Sequence, residues 1–196
     1  TIATPLATGL VDLHVEAQAI AFPTRDAEGR IWLKKRVTEA PSEENRLEVI
    51  VHRQVFDEVP LQLTTRIELQ VSGASREVVL GRALPDGFIP LALYTPLPTR
   101  IESDGKLRVQ VRPGSWAITL EARHHGPVQK LARPAPDGPW AEGEVWVFVA
   151  QPSLRIVEIG GVESVDPQQT LLPADWRNFP AFAMKQNSQM QFTEKQ

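Results

Sequence analysis

Over residues 61–72 the side chains change character at every step. Leu61, Leu63, Thr65, Ile67, Leu69 and Val71 share one side, while Gln62, Thr64, Arg66, Glu68, Gln70 and Ser72 share the other. A period of two residues belongs to a strand with one face in a core and the other in water; an amphipathic helix needs a period near 3.6. The rhythm recurs along the chain, so the fold class is all-β. The expected architecture is an antiparallel β-sandwich, immunoglobulin-like or transthyretin-like, built as one large unit or as two small sandwiches packed together. A chain of 196 residues buries roughly 70% of its unfolded surface on folding, enough for either plan.

Further strands follow from the same pattern. Residues 11–19 alternate Val11, Leu13, Val15, Ala17 and Ala19 with polar neighbours, and a short apolar piece surrounds Trp32. Residues 38–45 carry Pro41, Ser42 and three glutamates and read as an exposed loop before a strand at 47–51. The run Ser72-Gly73-Ala74-Ser75 predicts a hairpin from residues 61–71 into 76–80, and Pro113-Gly114 predicts a second from 107–111 into 116–122. Proline lacks the amide donor a central strand needs, so Pro90 places residues 88–94 on a sheet edge or in an extended connection. Residues 145–149 are apolar on both faces, as in a strand covered on both sides, with 154–159 as its expected partner. Helix signals are confined to 173–179, where Pro173 suits a first helical position and Pro180 stops the turn. The expected organisation is a β-sandwich core over 1–125, its continuation or a second small β unit over 126–183, and a polar tail or linker over 184–196.

Composition narrows the function classes. The chain is 42% hydrophobic and 23% charged with a formal net charge of −3, and its Lys and Arg residues are scattered. That leaves no broad electrostatic footprint for nucleic acid, and no window approaches the ~18 apolar residues of a membrane span. Cysteine is absent, which removes disulfides and thiolate chemistry. Such a composition fits a reducing cytosol and also many bacterial envelope proteins. The small, Pro-containing start at residues 1–8 tilts the expectation toward a processed protein of the periplasm or the extracellular space.

The run from Gly105 to Arg123, an apolar strand meeting Pro113-Gly114 and then Trp116 before a second apolar strand, resembles the hairpin of carboxypeptidase-regulatory-like and PEGA-type modules. That resemblance covers about a tenth of the chain and implies a transthyretin-like sandwich in an exported protein, acting as an accessory, spacing or ligand-contacting module. It implies no catalytic residue.

No nucleophile elbow, phosphate-binding loop, zinc-protease helix, calcium loop or dinucleotide fingerprint occurs, so no cofactor or metal is expected. Asp86, Asp104 and Asp137 each precede Gly, the habit of turn residues. Five Trp against one Tyr is the most suggestive statistic, because an exposed indole stacks on sugar rings. Trp140, which follows Gly138-Pro139 in a loop, is the first candidate ligand contact, and Trp32 beside a basic cluster is the second. Trp116 and Trp146 fall within strands and are expected in the core, and Trp176 should anchor the C-terminal turn with Phe179 and Phe182. His124 and His125 end a strand, but neighbours on an extended chain point oppositely, so His124 alone is carried forward as a possible contact. The reading is a non-enzymatic accessory or interaction domain whose partner is another protein or the remainder of a longer chain. The alternatives are a glycan-binding module using loop Trp residues, and a hydrolase with an unrecognised acid or His site.

Overall fold

The computed structural model describes residues 44–195 in full and, at the level of backbone pairing, residues 2–3, 13–15, 18–20 and 30–31. It divides after Ser42 into two compact units, whereas one core over residues 1–125 was the sequence expectation. In the first unit β1 (Ile2–Ala3) pairs antiparallel with β4 (Arg30–Ile31), and β2 (Leu13–Val15) with β3 (Gln18–Ile20). Residues 13–15 and 18–20 are therefore partners, not one continuous strand. Trp32 lies outside the described residues.

The second unit consists of β5 (Arg46–Phe56), β6 (Gln62–Ser72), β7 (Arg76–Arg82), β8 (Phe88–Tyr94), β9 (Thr99–Ile101), β10 (Lys106–Val111), β11 (Gly114–His124), β12 (Lys130–Ala132), β13 (Glu144–Val149), β14 (Ile156–Gly160), β15 (Glu163–Val165), β16 (Ala181–Met184) and β17 (Gln189–Lys195). Its helical content is two single turns, Pro167–Gln169 and Trp176–Asn178. The all-β expectation is met. A seven-stranded sheet runs in the order β15-β16-β13-β5-β6-β11-β8, accompanied by the three-stranded sheets β7-β10-β9 and β12-β17-β14. One pairing departs from an antiparallel plan, because β13 lies parallel to β5.

Both small sheets pack on the same face of the large one. Val49, Val51, Ile67, Leu69, Val71, Ile118 and Leu120 of the large sheet meet Leu80, Leu107, Val109 and Val111 of β7 and β10. Farther along the same strands, Val55, Leu63, Ala122, Trp146, Phe148 and Met184 meet Leu131 of β12 and Met190 of β17. Burial on β6 keeps the period of two, with Leu63, Thr65, Ile67, Leu69 and Val71 all buried.

This arrangement corrects both expected hairpins. β6 pairs with β5 and β11 while β7 pairs with β10, so the turn at residues 73–75 carries the chain from one sheet to the other. β10 and β11 likewise belong to different sheets, although Pro113-Gly114 joins them. Gly73, at φ 83°, supplies the left-handed backbone of the first crossing. Arg76 staples that crossing by donating to the carbonyls of Ser72, Ala74 and Arg46 at 3.1, 3.0 and 3.0 Å. Alternation reports which face a residue occupies, and a glycine turn serves a hairpin or a sheet crossing equally well.

β8 is the end strand of the large sheet, in keeping with Pro90. β13 is covered on both faces, as its composition demands: Trp146 and Phe148 face the small sheets, and Val145 and Val147 lie under Leu172, Trp176 and Phe179. Its neighbours are β5 and β16, however, and β14 pairs with β17 instead. Trp176 does anchor its turn beside Phe179, but Phe182 faces the opposite side of the sheet. The polar tail is also corrected. Met190 and Phe192 alternate with Gln189, Gln191 and Thr193, and β17 is the middle strand of its sheet with Met190 fully buried. Replacing Met190 by Ala should cost about 2–5 kcal/mol through the cavity it leaves, measured as a fall in the urea midpoint at unchanged slope. A loss within experimental error would return β17 to the status of a dispensable tail.

Candidate functional site

The largest concentration of buried chemistry sits where the two small sheets meet over the large one. Along β5 the inward positions are Val49, Val51, Arg53 and Val55, so an arginine occupies an apolar slot, and its side chain is fully buried. The register places Arg53 between Thr65 on β6 and Trp146 on β13. Glu144, at the start of β13, answers it: Arg53 Nε donates to Glu144 Oε2 at 2.7 Å and Nη2 to Oε1 at 3.3 Å. Arg53 Nη1 donates to Thr65 Oγ1 at 2.8 Å and, across the sandwich, to Ala83 O at 2.6 Å. Two indoles complete the carboxylate, Trp140 Nε1 donating to Oε1 at 2.9 Å and Trp146 Nε1 to Oε2 at 2.6 Å. The guanidinium carbon also stands 5.5 Å from the Trp146 ring centroid, within cation–π range.

Each carboxylate oxygen of Glu144 thus accepts two donors. Burial raises its pKa, but the charge of Arg53 and the hydrogen bonds from Arg53, Trp140 and Trp146 outweigh burial and hold the carboxyl below the usual carboxylate range. A carboxylate so occupied neither takes a proton from a substrate nor attacks one. The cluster is a structural joint. Arg133 reinforces it nearby, donating to the carbonyls of Glu142, Met184 and Ala141 and so tying the 133–144 segment to β16.

Trp140 is therefore not the exposed platform its loop suggested. It is 5% exposed, because its indole N–H must reach buried Glu144 and its ring fills the core beside Leu80. Gly81 makes room for that loop: a Cβ there would stand 2.8 Å from Asp137 O and 3.0 Å from Trp140 Cβ. Trp146 is fully buried as expected, whereas Trp116 is half-buried, with Arg112 4.5 Å above its ring and its N–H donated to Arg112 O at 2.7 Å.

His124 and His125 do not point apart. β11 ends at His124, and past that end the two rings stack at 4.9 Å with 18° between planes, while Phe88 meets His124 edge-on. His125 Nδ1 lies 2.7 Å from Gly87 O and His124 Nδ1 lies 2.7 Å from Gly126 O. Gly87, at φ 83°, closes over His124 so tightly that a Cβ there would fall 2.2 Å from Nε2. His124 serves this corner, and among the described residues no group of three metal-ligating side chains assembles.

Among the described residues, the large sheet offers two accessible features. An open depression of about 650 Å3 is lined by Arg46, Glu48, Gln70, Ser72 and Ser115. At the far edge, β8 exposes Ile89, Leu91 and Tyr94 at 42%, 55% and 57%. His125 N–H donates to Gly87 O, which sets the alternation along the β11–β8 ladder and turns the Pro90 backbone nitrogen outward. The position that would offer a donor to an added strand has none.

No protein family and no curated protein matches the sequence. Among solved structures the chain is similar to an aminopeptidase N family protein from Idiomarina loihiensis, at 10% identity and a TM-score of 0.39. The match covers 69% of this chain and 29% of that one.

Sequence reasoning missed Arg53 and Glu144, although a signal existed. Charge at an inward position of an otherwise apolar strand requires a buried partner, and Thr65 at an inward position of β6 marks the same level. Glu144→Gln should destabilise the fold by about 3–5 kcal/mol, since it leaves the Arg53 charge buried without its counter-ion. The double variant Arg53→Met/Glu144→Leu should lose less than the sum of the two single losses in urea denaturation. Additive losses would show that the pair does not act as one unit.

Proposed function

We propose that this chain is a non-catalytic accessory module of an exported or envelope protein that docks on another polypeptide through the β8 edge of its large sheet. The observation that carries the reading is the set Ile89, Leu91 and Tyr94, three large side chains exposed on one short edge strand. Large apolar groups on a strand that also bears a proline favour contact through side chains over addition of a strand. The buried acid–base pair supports the same view from inside, because its hydrogen-bonding capacity goes to holding sheets together. The exported setting rests on the resemblance of residues 105–123 to carboxypeptidase-regulatory-like and PEGA-type modules, and recovery of the protein in the cytosol on fractionation would count against it.

A photo-crosslinking amino acid at Leu91, in cells making the whole protein, should capture a polypeptide, and the same group at Ser115 should capture less. Ile89→Asp with Tyr94→Ser should abolish the Leu91 adduct while leaving the thermal midpoint within a few degrees. Equal labelling at both positions, or an adduct indifferent to the edge substitutions, overturns the reading.

A further inference from the structure

On the other face of the large sheet, β13 and β16 are covered from within the same unit. Between β15 and β16 the chain forms a strap, residues 166–179, whose Leu172, Trp176 and Phe179 pack with Val145, Val147 and Ala181. The strap is tied mainly to itself. Asp166 Oδ1 accepts from Gln168 N at 2.9 Å, Thr170 Oγ1 donates to Pro167 O at 2.7 Å, and Arg177 Nε donates to Leu172 O at 2.8 Å. A segment closed by its own hydrogen bonds and fastened by three apolar side chains can lift as a unit without breaking a sheet ladder.

His52 stands on β5, the strand next to the β13 residues that this contact covers. On β5 its register partners are Arg66 of β6 and Val145 of β13, the same Val145 that the strap covers. The imidazole is 2% exposed and its Nδ1 has no hydrogen-bond partner among the described residues. The charges that act on it are Glu68 and Arg66 from β6 and Glu144 from β13. Glu68 is already held by Arg66, at 2.9 Å, and Glu144 is saturated on the far face. On the strap Asp166 and Asp175 are exposed, and Arg177 is bound to its own backbone. Among the described residues, a proton arriving on His52 therefore meets no free carboxylate while the strap is down.

We propose that His52 is an acid-sensitive latch: protonation of its ring favours lifting of the 166–179 strap and bares the outer face of β13. Burial, acting against the charged form, already lowers the pKa of His52 below the usual histidine value, and Arg66 adds to that effect while Glu68 and Glu144 oppose it. The closed state thus binds the proton less well than the open one, so closure is fully favoured above the ordinary histidine pKa and weakens as pH falls below it. One proton taken up on opening raises the open fraction by up to about ten-fold per pH unit below about pH 6.5.

The test is hydrogen exchange of peptides covering 166–179 and, as a reference, 107–111, between pH 7.5 and 5, corrected for intrinsic rates. In the unmodified protein the strap should lose protection by up to ten-fold per pH unit while the β10 peptide holds its own. In His52→Gln and His52→Phe the strap should show no such slope. Two variants of different size separate loss of the proton from a packing defect, and the unmodified protein's strap-to-β10 comparison stands even if neither folds. Loss of protection in both regions together, or the same slope in a folded variant, overturns the proposal.

Discussion

The arginine on β5 and the glutamate on β13 decide how the sheets fit together. Apolar strands alone would let β13 slide along β5, because one valine packs much like another. Burying a guanidinium and a carboxylate costs several kcal/mol each unless every hydrogen-bonding group finds a partner. Here the partners come from four places: Thr65 on β6, Ala83 at the exit from β7, Trp140 on the 133–144 segment and Trp146 on β13. A one-residue slip of β13 would turn Glu144 and Trp146 to the strap side and leave Arg53 charged in the core. The joint is worth more as a selector of register than as a source of net stability, and it stands where two apolar clusters would otherwise meet without a fixed level.

That joint also explains the division of labour between the faces of the large sheet. The face it occupies is filled completely by the two small sheets, so rigidity is concentrated there. On the opposite face a self-tied strap packs over β13 and β16, and farther across lie the depression near Ser115 and the exposed side chains of β8. The exposed apolar side chains of β8 lie at the edge of this sheet, away from the committed Arg53–Glu144 joint.

Much of this was legible in the chain, and the limits have physical causes. The period of two on β6, the doubly apolar β13, the proline-bearing edge at β8 and the short turn at Trp176 all followed from local chemistry. Partner choice did not. Residues 72–75 and 112–115 carry turn residues that satisfy the backbone of a hairpin and of a sheet crossing alike, and only the packing of Val71 and Val111 into one core selects the crossing. β17 hid because its outward residues are all polar or charged, which masks the two apolar positions that matter. Trp140 misled for a related reason: proline and glycine around it signal a loop, and a loop is usually wet, but the buried carboxylate at Glu144 draws its N–H inward.

The histidines make the same point about context. His52 sits at a position whose neighbours Val51 and Arg53 differ in every chemical respect, so nothing local marks it as buried. Its burial belongs to the folded sheet, where it stands between Arg66 on β6 and Val145 on β13. His124 and His125, by contrast, look like a chemical pair on paper, yet their ring nitrogens face the carbonyls of Gly126 and Gly87 and brace a corner. A histidine can respond to its surroundings only where protonation changes the balance between two arrangements of the chain. The latch proposed for His52 puts that condition beside the strap: the ring is dry, its Nδ1 lacks a partner among the described residues, and the strap keeps its own hydrogen bonds when it moves.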